Sequence, residues 1–185
     1  MAKHVGLMIV IGILTGTLGA PLTAKAQTPL HFDCDASVDQ FSTEAQIVAL
    51  PVTVVGTISA VAMASKDYVP SASVAFVSAD GKNGVGFQIN APADDAIELD
   101  VDHIEMQRGV LKEIPLGRVP SSGAMPFSLS VSKPGDVTVS VGAIVFTAKI
   151  APVARMKVAA TCTSGHFKYL GSLSNAEGAT ISTLP

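Results

Sequence analysis

Tryptophan is absent from this chain, and its only tyrosines are Tyr68 and Tyr169. Clefts that grip sugar rings lean on aromatic platforms, so this scarcity argues against a deep, aromatic-lined carbohydrate pocket. Basic side chains are sparse as well. Arg108, Arg118 and Arg155 stand singly, and acids outnumber lysine plus arginine by 15 to 12. That balance excludes the basic patches wanted by nucleic acid and by anionic membrane surfaces. Cysteine occurs twice, at Cys34 and Cys162, without a C-x-x-C spacing, which removes thioredoxin-type redox chemistry and zinc-ribbon sites. The histidines after residue 26, namely His31, His103 and His166, lie too far apart in sequence to read as a zinc cluster. There is no G-x-S-x-G elbow, no P-loop and no G-x-G-x-x-G following a strand. Ser121-Ser122-Gly123 and Thr163-Ser164-Gly165 read as ordinary turns.

Long apolar runs are also missing, with one exception at the start. Lys3 and His4 precede an apolar run from Val5 to Leu18, and Ala24-Lys25-Ala26 follows. A positive segment, a short greasy segment and an A-x-A site form a secretory signal peptide over residues 1–26, with Gln27 as the expected mature N-terminus. The run is too short to span a bilayer, and Gly6, Gly12, Gly16 and Gly19 interrupt it. Ile47 to Ala64 is the next most apolar stretch, but Pro51, Gly56, Thr53, Thr57 and Ser59 break it, and its β-branched content suits strands. No transmembrane segment is expected after cleavage. Residues 27–185 number 159, the size of one domain. Loss of Lys3 and Lys25 leaves ten basic against 15 acidic residues, a net charge of −5.

Export to the periplasm or the medium changes how the cysteines read. An even pair in an exported chain is first a disulfide. Closing a loop from Cys34 to Cys162 would restrict the unfolded chain by about 4–5 kcal/mol on the entropic model. Cys34 follows His31-Phe32-Asp33, which is no lipobox, so a lipid anchor is not indicated.

From Ile47 onward, short β-branched runs alternate with turn residues. Ile47 to Ala64 predicts two strands bending at Gly56. Ala72 to Ala79 and Val85 to Ala91 flank Asp80-Gly81-Lys82-Asn83-Gly84, a hairpin signal with glycines for positive φ. Further runs cover Ala96 to Gln107, Val110 to Leu116, Phe127 to Ser132, Val137 to Val141, Ala143 to Ile150, Met156 to Thr163 and Phe167 to Leu173. Phe127, Leu129 and Val131 alternate with serines, and Val137-Thr-Val-Ser-Val repeats the pattern after Lys133-Pro134-Gly135-Asp136. Period-2 alternation with one wet face marks antiparallel sheet. Only Asp33 to Gln46 leaves room for a short helical turn. The class is all-β, a two-sheet antiparallel sandwich.

The strand order over most of residues 27–185, with the hairpin from Pro126 to Gly142 and the closing segment Cys162 to Leu170, resembles the concanavalin A-like, laminin-G-like jelly rolls. That resemblance implies first and last strands close together in one sheet, which suits a Cys34–Cys162 bridge. It also implies a lectin, glycosidase or adhesion module without choosing among them. An immunoglobulin-like sandwich is the alternative, though without the core tryptophan of the antibody type.

The segment Glu98-Leu-Asp100-Val-Asp102-His103-Ile-Glu105 resembles the E-x-D-x-E strand of retaining glucanases in that superfamily. Period 2 places Glu98, Asp100 and Asp102 on one strand face, with Leu99, Val101 and His103 opposite. A retaining pair needs carboxyls about 5–5.5 Å apart, and Asp102 stands one methylene short of the family's glutamate. No metal is assigned. His31, Asp33 and Asp35 alternate without a loop to converge them, and the oxygen-rich candidates for a calcium ion are Asp94, Asp95 and the Asp100–Asp102 face.

The sequence therefore predicts an exported, non-catalytic binding or structural module whose ligand is a glycan or a protein. The alternative is a divergent glycoside hydrolase using Glu98, Asp100 and Asp102. A third reading is a pilus-like subunit with Gln27 to His31 as a short donor strand.

Overall fold

A computed structural model describes residues 27–63, 68–93, 95–132, 135–151, 153–175 and 182–183. The expected leader and Asp94 lie outside the described residues. Among the described residues eleven strands run β1 (Gln27–Ala49), β2 (Val52–Met63), β3 (Ser71–Val77), β4 (Gly84–Asn90), β5 (Glu98–Gln107), β6 (Val110–Pro120), β7 (Ala124–Val131), β8 (Asp136–Val141), β9 (Ile144–Lys149), β10 (Arg155–Asn175) and β11 (Ser182–Thr183). All pairings are antiparallel. No helix forms among the described residues, so none is long and apolar enough to cross a membrane.

The spine is a long ribbon of β1 and β10. Along one edge of β10, residues 157–163 pair with β3 and residues 165–175 pair with β2, while β1 follows the other edge. The ribbon turns a corner where the β1 register breaks between Ala36 and Phe41. On one side of the corner β3, β4, β5 and β6 extend the first sheet. On the other side β2, β7, β8 and β9 extend the second. The two sheets then face each other. Phe87 of β4 meets Phe127 of β7 at 5.6 Å, and His103 of β5 meets Phe146 of β9 at 4.6 Å. This is the two-sheet sandwich that the alternation implied.

Alternation decides what lies between the layers. Phe127, Leu129 and Val131 are buried, as are Val137, Val139 and Val141, with Phe76, Phe87, Phe167 and Leu173 beside them. Each such side chain gains about 1.5–3 kcal/mol on leaving water. Tyr169 is fully buried, its ring stacked on Phe32 at 5.6 Å, and its hydroxyl donates to the Thr161 carbonyl at 2.5 Å. Burial pushes its pKa up, so the phenol stays neutral.

Three local expectations need correction. Asp33 to Gln46 holds no helical turn but the paired and bulged middle of β1. Met156 to Thr163 and Phe167 to Leu173 are halves of one bent strand, because Ser164 and Gly165 turn the chain without ending its pairing to β1. Gly56 does not bend a strand. It lies opposite Gly171, where an added Cβ would stand 2.6 Å from the Leu170 carbonyl oxygen, so glycine there permits close strand approach. The break falls instead at Leu50 and Pro51, between β1 and β2.

The cysteines form the disulfide, with 6.1 Å between their Cα atoms, and both are fully buried. They are not register partners. Cys34 lies opposite Phe167 and Cys162 opposite Ser42, so the bridge crosses inside the corner and ties one sheet to the other.

Candidate functional site

On β5, Leu99 and Val101 are buried against the core, which turns Glu98, Asp100 and Asp102 to the outer face of the first sheet. Neighbouring strands bring partners that one strand's sequence cannot show. Leu116 of β6 is skipped in the register with β5, since Val101 faces Gly117 and Asp102 faces Pro115. Gly117 has φ 149°, a backbone state that favours glycine. This bulge sets Arg118 opposite Asp100. Its Nε donates to Asp100 at 2.8 Å, and its Nη1 lies 3.8 Å from the Glu98 carboxylate. Asn90 of β4 donates to Asp102 at 2.6 Å and accepts from Gln88 at 2.9 Å. Burial raises the Asp102 pKa, with the Asn90 hydrogen bond opposing and the Asp100 charge adding to it. A shallow depression of about 400 Å³ is lined by Asn90, Asp100, Asp102, Pro115, Gly117 and Arg118.

The acids are one end of something wider. Register across the first sheet gives an outer row Arg118, Asp100, Asn90, Ser71, Thr163, Phe41, and beside it Asp102, Gln88, Ser73, Thr161, Thr43. Ser71 and Thr163 share a hydrogen bond at 2.9 Å, and so do Thr43 and Thr161. With strands about 4.8 Å apart, the longer row spans about 24 Å. The next row, Gly86, Ala75, Ala159 and Ala45, carries little side chain.

At its far end the polar row reaches the corner. Phe41 is 75% exposed and Tyr68 46% exposed, and both line a depression of about 230 Å³ with Asp39, Gln40, Val69, Thr163 and Ser164. No pattern along the chain links these two aromatics. Phe41 and Tyr68 are 27 positions apart, and only the register of β1 on β10 brings Phe41 to Thr163 at the corner. A cross-strand pairing, not a motif, was the signal.

Other candidates fall elsewhere. His31, Asp33 and Asp35 do share an outer face, on the second-sheet half of β1. His166 of β10 hydrogen-bonds Asp33, and Lys168 lies 3.9 Å away. That contact from His166, ahead of the Lys168 charge, holds the Asp33 carboxyl below its usual value. Among the described residues, no group of three or more His, Cys, Asp or Glu side chains could hold a metal ion. His103 points inward against Phe146. Its Nε2 is buried without a hydrogen-bond partner, and burial lowers its pKa. Gln27 to His31 is paired along β10, facing Ser174 to Leu170.

No protein-family model matches the chain, and no curated protein matches it in sequence. Solved structures do match in fold. BuGH16Bwt superposes with a TM-score of 0.51 at 9% identity, over 84% of this chain and 76% of that one. A β-glucanase of Bacillus licheniformis gives 0.50 at 12% identity, over 80% and 79%. The carbohydrate-binding module CBM66 from Bacillus subtilis gives 0.48 at 10% identity, over 83% and 98%. In fold the sandwich is similar to the first two of these, a two-sheet antiparallel jelly roll as the strand order implied. Identities this low speak to fold alone.

Proposed function

We propose that residues 27–185 form one exported β-sandwich domain that binds a polyhydroxylated chain, a glycan, along the outer face of its first sheet without cleaving it. The observation that carries this reading is the row of hydrogen-bonding side chains from Arg118 and Asp100 through Asn90 and Thr163 to exposed Phe41, in which Ser71 is itself buried and serves the row by bonding Thr163. Hydroxyl and amide groups at strand spacing can trade hydrogen bonds with successive hydroxyls of an extended ligand. Phe41 and Tyr68 offer an apolar surface for a ring at one end. The buried disulfide and the leader support a periplasmic or extracellular address. Carbohydrate-related proteins on the same fold accord with a glycan ligand.

Affinity electrophoresis through gels containing soluble polysaccharides tests the proposal. Retardation in one gel that disappears in Phe41→Ala and in Asn90→Ala, with the fold intact, supports it. A chain unretarded by every polysaccharide, yet retained by an immobilised protein ligand, moves the function to protein adhesion.

The second reading is a divergent glycoside hydrolase using Glu98, Asp100 and Asp102. In its favour, three acids share one face and Asp102 has a raised pKa, the trait of a general acid. Against it, Asp100 is held by Arg118, and Glu98 and Asp102 are about 13 Å apart along the strand at ~3.3 Å per residue. Sugar release from a β-glucan panel that vanishes in Glu98→Gln would establish the enzyme.

A further inference from the structure

A sandwich built from one bent ribbon leaves open edges, and here they are not treated alike. The β6 edge carries Pro115 and Pro120, a bulge at Leu116, and the charges of Lys112, Glu113 and Arg118. The free edge of β1 before the corner carries Pro29, His31, Asp33 and Asp35. After the corner, β11 pairs with β1 at Gln46 and Ile47. Prolines, charges, bulges and short covering strands are the usual means of stopping edge-to-edge pairing. Among the described residues, the edge of β9 has no proline, no bulge and no covering strand, and its one charge, Lys149, is paired with Asp136 of β8 at 3.3 Å. Ile144-Val145-Phe146-Thr147-Ala148-Lys149 pairs with β8 without a bulge and bears one charge, at its last residue.

Hairpin geometry identifies the free backbone groups of that edge. Gly142 and Ala143 form a two-residue turn, so Val141 and Ile144 exchange both hydrogen bonds. The same parity is seen where the Ile150 amide donates to the Gly135 carbonyl at 2.9 Å, and where the Gly142 amide donates to the Pro126 carbonyl at 2.8 Å on the far side of β8. Ile144, Phe146 and Ala148 therefore spend their amides and carbonyls on β8. Those of Val145, Thr147 and Lys149 point away from the sheet.

We infer that β9 is a self-association edge, and that its occupant is β9 of a second copy, antiparallel about a two-fold axis. Three open-edge residues at alternate positions are self-complementary. With Thr147 opposite its own copy, Val145 falls opposite Lys149, and the three residues exchange six backbone hydrogen bonds. No like charges face each other in this register. Ile144, Phe146 and Ala148, only half-buried at the rim of the core, would gain a neighbouring strand on their exposed flank. The two-fold closes the contact, so association stops at a dimer. Such a dimer would present two copies of the first-sheet face, though the inference itself does not depend on what that face binds.

Sedimentation velocity of the oxidised protein over a concentration series tests it. The expected result is a monomer–dimer equilibrium, with hydrogen exchange at Val145, Thr147 and Lys149 slowing as the dimer fills. Thr147→Pro removes an outward amide that β8 does not use, which an edge strand tolerates, and Val145→Lys places a charge on the edge. Both should leave the circular dichroism and the disulfide unchanged while reducing dimer by tenfold or more. A monomer at every concentration overturns the inference. So does a dimer that survives both substitutions, an open-ended filament, or slow exchange of the three amides in a monomer, which would mean that a segment of the same chain covers the edge.

Discussion

Asp39 and Ser164 face each other at the corner where β1 and β10 pass from one sheet to the other. The Asp39 amide donates to the Ser164 hydroxyl at 3.1 Å, and both residues have left-handed backbones, with φ of 61° and 48°. Among the described residues, only one other non-glycine residue has a positive φ, Arg108 in the β5–β6 turn. The corner thus stores conformational cost in two opposed residues, and a side-chain hydroxyl holds them together. Ser164→Val is expected to destabilise by about 1–3 kcal/mol, since a β-branched residue resists positive φ and cannot accept the amide. Ser164→Gly relaxes the backbone while losing the hydroxyl, so it should cost less. Urea titrations of the two oxidised variants against the parent will rank them, and a Val variant as stable as the Gly variant would show that the corner is not strained.

The buried bridge from Cys34 to Cys162 lies just inside that corner. Replacing both cysteines by alanine should lower stability by about 2–5 kcal/mol. Because the bridge joins the sheets, the loss should appear as one cooperative transition at lower denaturant and not as separate melting of one sheet. Two transitions by tryptophan-independent probes, such as far-ultraviolet circular dichroism and the combined fluorescence of Tyr68 and Tyr169, would contradict this.

Two acids should give opposite pH signatures. The Asp33 carboxyl is held below its ordinary value, chiefly by the His166 hydrogen bond. Its stabilising contribution is full above the unfolded value near 3.8 and is lost as pH falls through the lower folded value. Asp102 is shifted upward, chiefly by burial. The folded state then binds its proton more tightly than the unfolded state, so stability falls as pH rises from about 3.8 through the raised value. Asp33→Asn should flatten the acid limb of the stability curve, while Asp102→Asn should remove a decline on its rising side. Chemical denaturation between pH 3 and 7 separates the two slopes.

How much of this was legible in the sequence follows from what a single strand carries. Alternation in β5 and β7 assigned Leu99, Val101, Phe127 and Leu129 to the inside and the acids and serines to the outside, because side-chain direction along a strand is local. The bridge was legible because two cysteines in a chain expected to be exported leave one pairing. The corner was not, since Ser164-Gly165 reads equally as a turn that ends a strand or one that bends it. Which reading holds depends on β1 staying paired across the bend. Nor could the sequence show that Arg118 neutralises Asp100 or that Phe41 closes the polar row. Those contacts exist only through register, and in the case of Arg118 through one skipped residue at Leu116.

His103 supplies the last test. Its ring packs on Phe146 at 4.6 Å, and its Nε2 is buried with no hydrogen-bond partner. Burial, ahead of the opposing Glu105 charge and the assisting Lys112 charge, depresses its pKa, so the folded state keeps the imidazole neutral. Below the unfolded value of 6.5 the unfolded chain takes up a proton that the folded chain refuses, and stability drops as pH falls toward the depressed folded value. An orphaned buried nitrogen costs about 1–3 kcal/mol at any pH. His103→Phe fills nearly the same space, keeps an aromatic contact with Phe146 and removes both penalties. The variant should therefore be more stable than the parent at pH 7, and its advantage should widen as pH falls from 6.5 to 5. Denaturation midpoints of the two proteins across that range decide it: a constant difference would mean that His103 takes up its proton as readily in the folded as in the unfolded chain, and a less stable variant would mean that Nε2 has a partner.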